Sequence, residues 1–225
     1  MVYSLVSVHS GTGRLTRESF IRYAALFTLL EGVLVGLAAR ASYRWLPTWG
    51  LLLGTFAAEL IFILVFKLSH NPVVSGFGVT GLSLGLGLLL GPVLAYYTSS
   101  DILNALFLTC LIMGGMSVIG ILFPTLFIGW GGFLIGALWL LIAASLAQLI
   151  LVALGVATAG SPVINTWLAW AGIAIFTFLI PYDWNVALNR PLTLDEAIDA
   201  SGGLILDAVN LFIRILSVLG GQRGR

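Results

Sequence analysis

Charge is what this chain has least of: 8% of its 225 residues are Asp, Glu, Lys or Arg, against 60% hydrophobic. No Lys or Arg occurs between Lys67 and Arg190, and no charge of either sign between Asp101 and Asp183. Soluble domains carry about 25% charged residues, so an ordinary water-soluble fold is excluded. The single cysteine, Cys110, excludes an internal disulfide framework. The arginines are few and scattered, which leaves no basic footprint for a nucleic acid. No cleavable signal is expected either: Met1 to Phe20 is polar and mixed, and the first apolar run is long enough to span.

What is there instead is a series of long apolar runs, with a mean hydropathy of +1.10. A membrane-crossing helix needs about 20 such residues, and seven segments qualify. They lie near Arg22–Ala41, Trp49–Leu68, Val73–Tyr97, Ile102–Phe123, Leu126–Val152, Val163–Tyr182 and Ala200–Leu219. The breaks carry turn residues: Leu46-Pro-Thr48, Asn71-Pro72, Thr98-Ser-Ser-Asp101, Phe123-Pro124, Gly160-Ser-Pro162 and Asn189-Arg-Pro191. The fold class is thus all-α and polytopic, with one membrane domain over residues 22–220 between a cytoplasmic tail at 1–21 and a short tail at 221–225. Glycines at 76, 78, 81, 85 and 87 in the third segment suggest close helix contacts.

Orientation follows from the basic residues. Arg14, Arg17, Arg22, Lys67 and Arg190 fall on the amino-terminal side, against Arg40, Arg44, Arg223 and Arg225 if the last helix crosses fully. If that helix only re-enters, the excess on the first side grows. The amino terminus is therefore expected in the cytoplasm. Short loops and the lack of a targeting segment favour a bacterial inner membrane.

Asp207 is the most telling residue. It stands inside an otherwise apolar stretch, Gly202-Gly-Leu-Ile-Leu-Asp-Ala-Val-Asn-Leu-Phe-Ile-Arg-Ile-Leu216. A charge at such a depth costs several kcal/mol unless paired, protonated or wet, so it marks function by default. Gly203, Asp207, Asn210, Arg214, Ser217 and Gly221 recur at alternating four- and three-residue steps, which aligns them on one helical face. Leu204, Ile205, Val209, Leu211 and Phe212 fill the other faces. A stripe of this kind packs against helices or lines a watery cavity. The last helix belongs inside the protein.

The other ionisable residues each admit two readings. Glu31 and Glu59, midway along the first and second spans, could serve an ion path or be protonated carboxyls bonded between helices. Asn210 and Arg214 are further candidates for that path, although Arg214 could equally snorkel or pair with a carbonyl. Lys67 and His70 close the second span, where snorkelling to the headgroups is the simplest role. Asp101 reads as a first-turn acid. Thr193-Leu-Asp-Glu196 reads as a capping box whose acids face solvent. His9 and Cys110 carry no signal. Asp183 ends the sixth span in Pro181-Tyr-Asp-Trp-Asn185. With Asp207 on the next helix, it could form a carboxylate pair that shares one proton and titrates in two coupled steps. Straight helices from a turn near Pro191 would leave the two at depths differing by about 10 Å, so a non-helical stretch must close the gap.

Three stretches resemble the Bax inhibitor family, the transmembrane Bax-inhibitor-motif proteins, and its bacterial members in particular. Gly91-Pro-Val-Leu94 followed by Ala105-Leu-Phe-Leu-Thr109 is similar to the family's Gly-Pro-x-Leu and Ala-x-x-x-Thr signature. Tyr182-Asp183 resembles the family's ending of the sixth helix. Leu204-Ile-Leu-Asp-Ala-Val-Asn-Leu-Phe212 resembles its last-helix motif. The resemblance implies a helical bundle with the last helix central, and a pH-sensitive calcium leak whose sensor falls on Asp183 and Asp207, which are also the candidate calcium ligands. It further implies that a basic residue after the second helix latches the first aspartate, a part that Lys67 or His70 could fill. Calcium would then be the permeant species, with no cofactor.

Two other classes compete. A regulatory membrane protein that binds other membrane proteins, such as a membrane protease, is compatible with the same resemblance. An intramembrane protease is not: Gly-x-Gly-Asp is absent, because Asp207 follows Leu204-Ile-Leu206, and the histidines, His9 and His70, both come early. No enzymatic activity is expected. The partners expected are the bilayer, calcium or other cations, and other membrane proteins.

Overall fold

The structure is a computed structural model that describes residues 13–45, 48–156 and 161–221. The remainder of the amino-terminal tail with His9, the Leu46-Pro47 break, Gly160, and the carboxy-terminal Arg223 and Arg225 lie outside the described residues.

All regular structure among the described residues is helical: α1 Arg17–Ser42, α2 Trp49–Leu68, α3 Pro72–Leu94, α4 Ser99–Leu122, α5 Gly131–Ala153, α6 Pro162–Leu188 and α7 Leu194–Gly221. Six of them, all but α2, are long and apolar enough to cross a bilayer. The 20-residue α2 occupies the bounds expected of the remaining span. Large apolar side chains stand exposed along their outer faces, among them Leu53, Phe56, Leu103, Phe107, Phe133 and Trp139. A soluble protein rarely exposes apolar surface on that scale, so these faces are fitted to lipid.

The helix starts follow local chemistry. Thr16 accepts from the Ser19 amide and opens α1, five residues earlier than the apolar run suggests. Asn71 caps α3 ahead of Pro72, whose missing N–H costs nothing at the first helical position. Thr98 caps α4 and donates to Asp101 at 2.6 Å, so Asp101 is the expected first-turn acid, although buried. Thr193 accepts from the Glu196 amide and starts α7 at Leu194, six residues before the apolar window opens. A short 3-10 turn, Ile128–Trp130, separates α4 from α5, which starts at Gly131 rather than near Leu126. The helix α6 continues past Asp183 to Leu188. The extension of α6 matters for the site, since it puts Asp183 inside a regular helix, as Asp207 is in α7.

The chain groups into two compact units. The first holds residues up to Tyr96 together with Val186–Leu206, hence α1, α2, α3 and the opening turns of α7. Both α1 and α2 pack extensively on α3, α1 the more so. Glycine makes both possible. A Cβ at Gly87 would collide with the Val35 carbonyl, and one at Gly78 would fall 2.9 Å from the Phe66 Cβ. Phe66, Val79, Leu82 and Ile198 form the core, and Gly202 of α7 packs on Phe66 and Val79. At one end the Leu15 amide donates to the Leu192 carbonyl at 2.6 Å, which ties the segment before α1 to the α6–α7 connection.

The second unit holds the described residues of Tyr97–Asn185 and those from Asp207 onward. Here α4 and α6 approach closely: a Cβ on Gly120 would meet the Pro181 Cα at 2.8 Å and the Trp184 Cβ at 2.9 Å. Fully buried Asn185 accepts from the Phe127 amide and donates to the Gly120 carbonyl, each at 2.8 Å. Gly131, at the start of α5, leaves room for the Tyr182 ring, whose hydroxyl would lie 2.7 Å from a Cβ there.

Candidate functional site

The carboxylates Asp183 of α6 and Asp207 of α7 both lie in the second unit, within electrostatic range of each other. Asp207 is buried to 6% exposure, and its Oδ2 has no hydrogen-bond partner among the described residues. Asp183 is half-buried. Its neighbours in sequence hold it in place: Pro181 and Trp184 on Gly120, Tyr182 over Gly131, and Asn185 bonded to both Gly120 and Phe127. Between the aspartates, the connection at residues 189–193 is the one non-helical stretch.

Of the six helices long and apolar enough to cross, α7 is the most enclosed, 56% buried against 39% for α3, the next. That agrees with a helix inside the protein. Burial is not confined to the polar stripe, however. Leu204, Ile205, Val209, Leu211 and Phe212 are buried, whereas Gly203, Asn210, Arg214 and Ser217 are half-buried beside buried Asp207. Apolar packing holds the helix, and the stripe is its more open side. Arg214 lies along Gly172 of α6, where a Cβ would meet its Cγ at 2.8 Å, and donates to Ser145 Oγ of α5 at 3.3 Å. It finds a side-chain hydroxyl inside the protein instead of snorkelling away.

The remaining candidates stand in the first unit. Glu31 is buried on α1 and its Oε1 accepts from Thr80 of α3 at 3.5 Å. Glu59 is buried on α2 and packs over Gly85 of α3, where a Cβ would lie 3.1 Å from its Cγ. Lys67 and His70 are exposed at the end of α2. The ammonium of Lys67 sits 5.0 Å from the centroid of the Phe66 ring, a cation–π arrangement. Lys67 is also within electrostatic range of Asp199 on α7.

Asp199 is the residue that the sequence reading missed. It is buried to 6% exposure, with Oδ1 unpartnered among the described residues, and Lys67, Asp195, Glu196 and Arg190 surround it electrostatically. The two acids expected in solvent are half-buried instead. Asp195 accepts from Ser75 Oγ of α3 at 2.7 Å, and Glu196 faces Arg190 at 3.4 Å. The signal was available: Asp195 and Asp199 are four residues apart, on one face of the helix that Thr193 caps. Among the described residues no three His, Cys, Asp or Glu side chains converge as a metal site.

A family model described as "Inhibitor of apoptosis-promoting Bax1" matches residues 17–224, nearly the whole chain. An uncharacterised protein of Helicobacter pylori strain J99 is 31% identical over 205 residues, covering 87% of this chain and 81% of that protein. A Borreliella burgdorferi protein, also uncharacterised, is 31% identical over 145 residues, 61% of this chain and 59% of its own. A protein of Schizosaccharomyces pombe named Bax inhibitor 1 is 32% identical over 134 residues, 60% of this chain and 47% of its own.

Proposed function

The chain belongs to the Bax inhibitor family, and we propose that it is a pH-sensitive leak for calcium or other cations, gated by protonation of Asp183 and Asp207. The observation that carries this reading is a buried carboxyl with an unpartnered oxygen, Asp207, within electrostatic range of a second one, Asp183. Two carboxylates that feel each other's charge do not ionise independently, so the proton count of the pair changes with pH. Each proton state favours a different packing of α6 and α7, and the bound proton shifts the population between them. The half-buried stripe of Asn210, Arg214 and Ser217 supplies the polar lining that a cation path through α7 requires. Lys67, with His70 as the lesser candidate, restrains the closed packing, the latch that the family resemblance implies. The protein works by conduction, without a catalytic step or cofactor, in a bacterial inner membrane with its amino terminus in the cytoplasm.

The test is calcium flux in liposomes that contain the purified protein alone. Flux that changes with pH supports the reading. Liposomes that stay tight at every pH would remove the channel and leave a regulatory membrane protein, to be sought through its membrane-protein partners.

A further inference from the structure

We propose that Glu31, Thr80 and Ser83 form a proton-binding site between α1 and α3, in the first unit and separate from the aspartate pair. Glu31 lies midway along α1, buried to 6% exposure, and Ser83 is fully buried. Thr80 donates to Glu31 Oε1 at 3.5 Å. Ser83 stands beside the same carboxyl, yet both Ser83 Oγ and Glu31 Oε2 lack a hydrogen-bond partner among the described residues. Two buried oxygens left unmet side by side are costly, because each forfeits the hydrogen bond it had in water. A single proton on Glu31 Oε2 removes both deficits: the acid O–H donates to Ser83 Oγ, and Thr80 continues to donate to Oε1. An ionised Glu31 can instead accept from the Ser83 hydroxyl, but that leaves a full charge buried in mid-span with no cation beside it, which costs more than a neutral acid.

The surroundings supply no other means of neutralising the carboxyl. The α3 helix carries no ionisable residue, and between Arg22 and Arg40 α1 has only Tyr23, near its start, besides Glu31 itself. On α2 the ionisable residues are Glu59, which packs on Gly85, and Lys67 at the helix end, which neighbours Asp199. The part of α7 in this unit presents Ile205 near Gly32 and holds its acids, Asp195, Glu196 and Asp199, in its opening turns. A bound metal ion fits less well. Hard cations gather about six oxygens, and the site offers two carboxylate and two hydroxyl oxygens. The proton therefore adds a polar bond between α1 and α3, whose crossing otherwise rests on glycine against backbone and on the Ser42 hydroxyl donating to the Gly87 carbonyl at 3.4 Å.

Infrared spectroscopy of the protein in liposomes tests this without reference to ion flux, so the result stands or falls apart from the leak reading. The wild-type minus Glu31→Gln difference spectrum at neutral pH should contain a protonated-carboxyl C=O band. The Thr80→Val, Ser83→Ala double variant should retain that band and shift it to higher frequency, as its hydrogen bonds are lost. A carboxylate band in place of the acid band overturns the site. So does an acid band present in choline buffer that disappears when sodium is added, which would make the occupant a metal cation. If Glu31→Gln does not insert, the double variant carries the test alone, and an unshifted set of acid bands overturns the proposal.

Discussion

Lys67 is where sequence and structure read differently at the scale of a residue. An exposed lysine at the end of a span suggests snorkelling, but here it neighbours buried Asp199 of α7. An exposed pair is worth about 0–1 kcal/mol, whereas stripping the counter-charge from a buried carboxylate costs more. Lys67→Gln should therefore lower the melting temperature in detergent, and Asp199→Asn added to it should restore much of the loss. Additive or independent effects of the two substitutions would dissolve the pairing. The proposed latch predicts in addition that Lys67→Gln raises basal leak and His70→Gln changes it less; flux unchanged from wild type in both single variants and in the double mutant would remove the latch. Asp207 was legible in sequence because lipid makes a lone carboxyl conspicuous. Asp199 was not, because it sits where the hydropathy of α7 has not yet risen and where a capping box already explained its neighbours. The half-burial of Asp195 likewise depends on Ser75 of another helix, which no local pattern carries.

At the scale of elements, seven apolar runs translated into seven helices because each supplies the length a bilayer demands. Their ends did not follow hydropathy. Thr16, Thr98 and Thr193 set three of the starts, and α6 continues through Pro181 to Leu188. Which glycines matter was also hidden in the sequence. Gly114, Gly115 and Gly120 share one helix, but a Cβ on either of the first two meets nothing within 4 Å, while one on Gly120 runs into Pro181 and Trp184. Gly120→Ala should destabilise the protein by about 1–3 kcal/mol, the usual cost of overpacking, and shift the pH midpoint of any flux by displacing Asp183. Gly114→Ala should leave both unchanged. Thermal melts and flux titrations of the two variants check this, and equal behaviour would mean that the α4–α6 crossing yields easily.

For the whole molecule, topology and gating remain to be linked by experiment. The backbone bond from Leu15 to Leu192 ties the start of α1 to the α6–α7 connection, which fits six crossings between them and a shared membrane side. Cysteines replacing Glu18 and Asn189 in a Cys110→Ala background should both react with an impermeant thiol reagent from the cytoplasmic face; labelling from opposite faces would mean a different number of crossings.

The central claim is that the proton count of the Asp183–Asp207 pair sets the flux. Asp207→Asn keeps the shape and hydrogen-bonding capacity of the side chain but removes its ionisation. Calcium flux through this variant in liposomes, measured across pH beside wild type and Asp183→Asn, is the most direct test. The account predicts a folded, inserted Asp207→Asn protein whose flux no longer shows the wild-type variation with pH, with a weakened but surviving response in Asp183→Asn. An Asp207→Asn protein whose flux varies with pH as much as wild type would contradict it, and would reduce Asp207 to a structural group in the packing of α7.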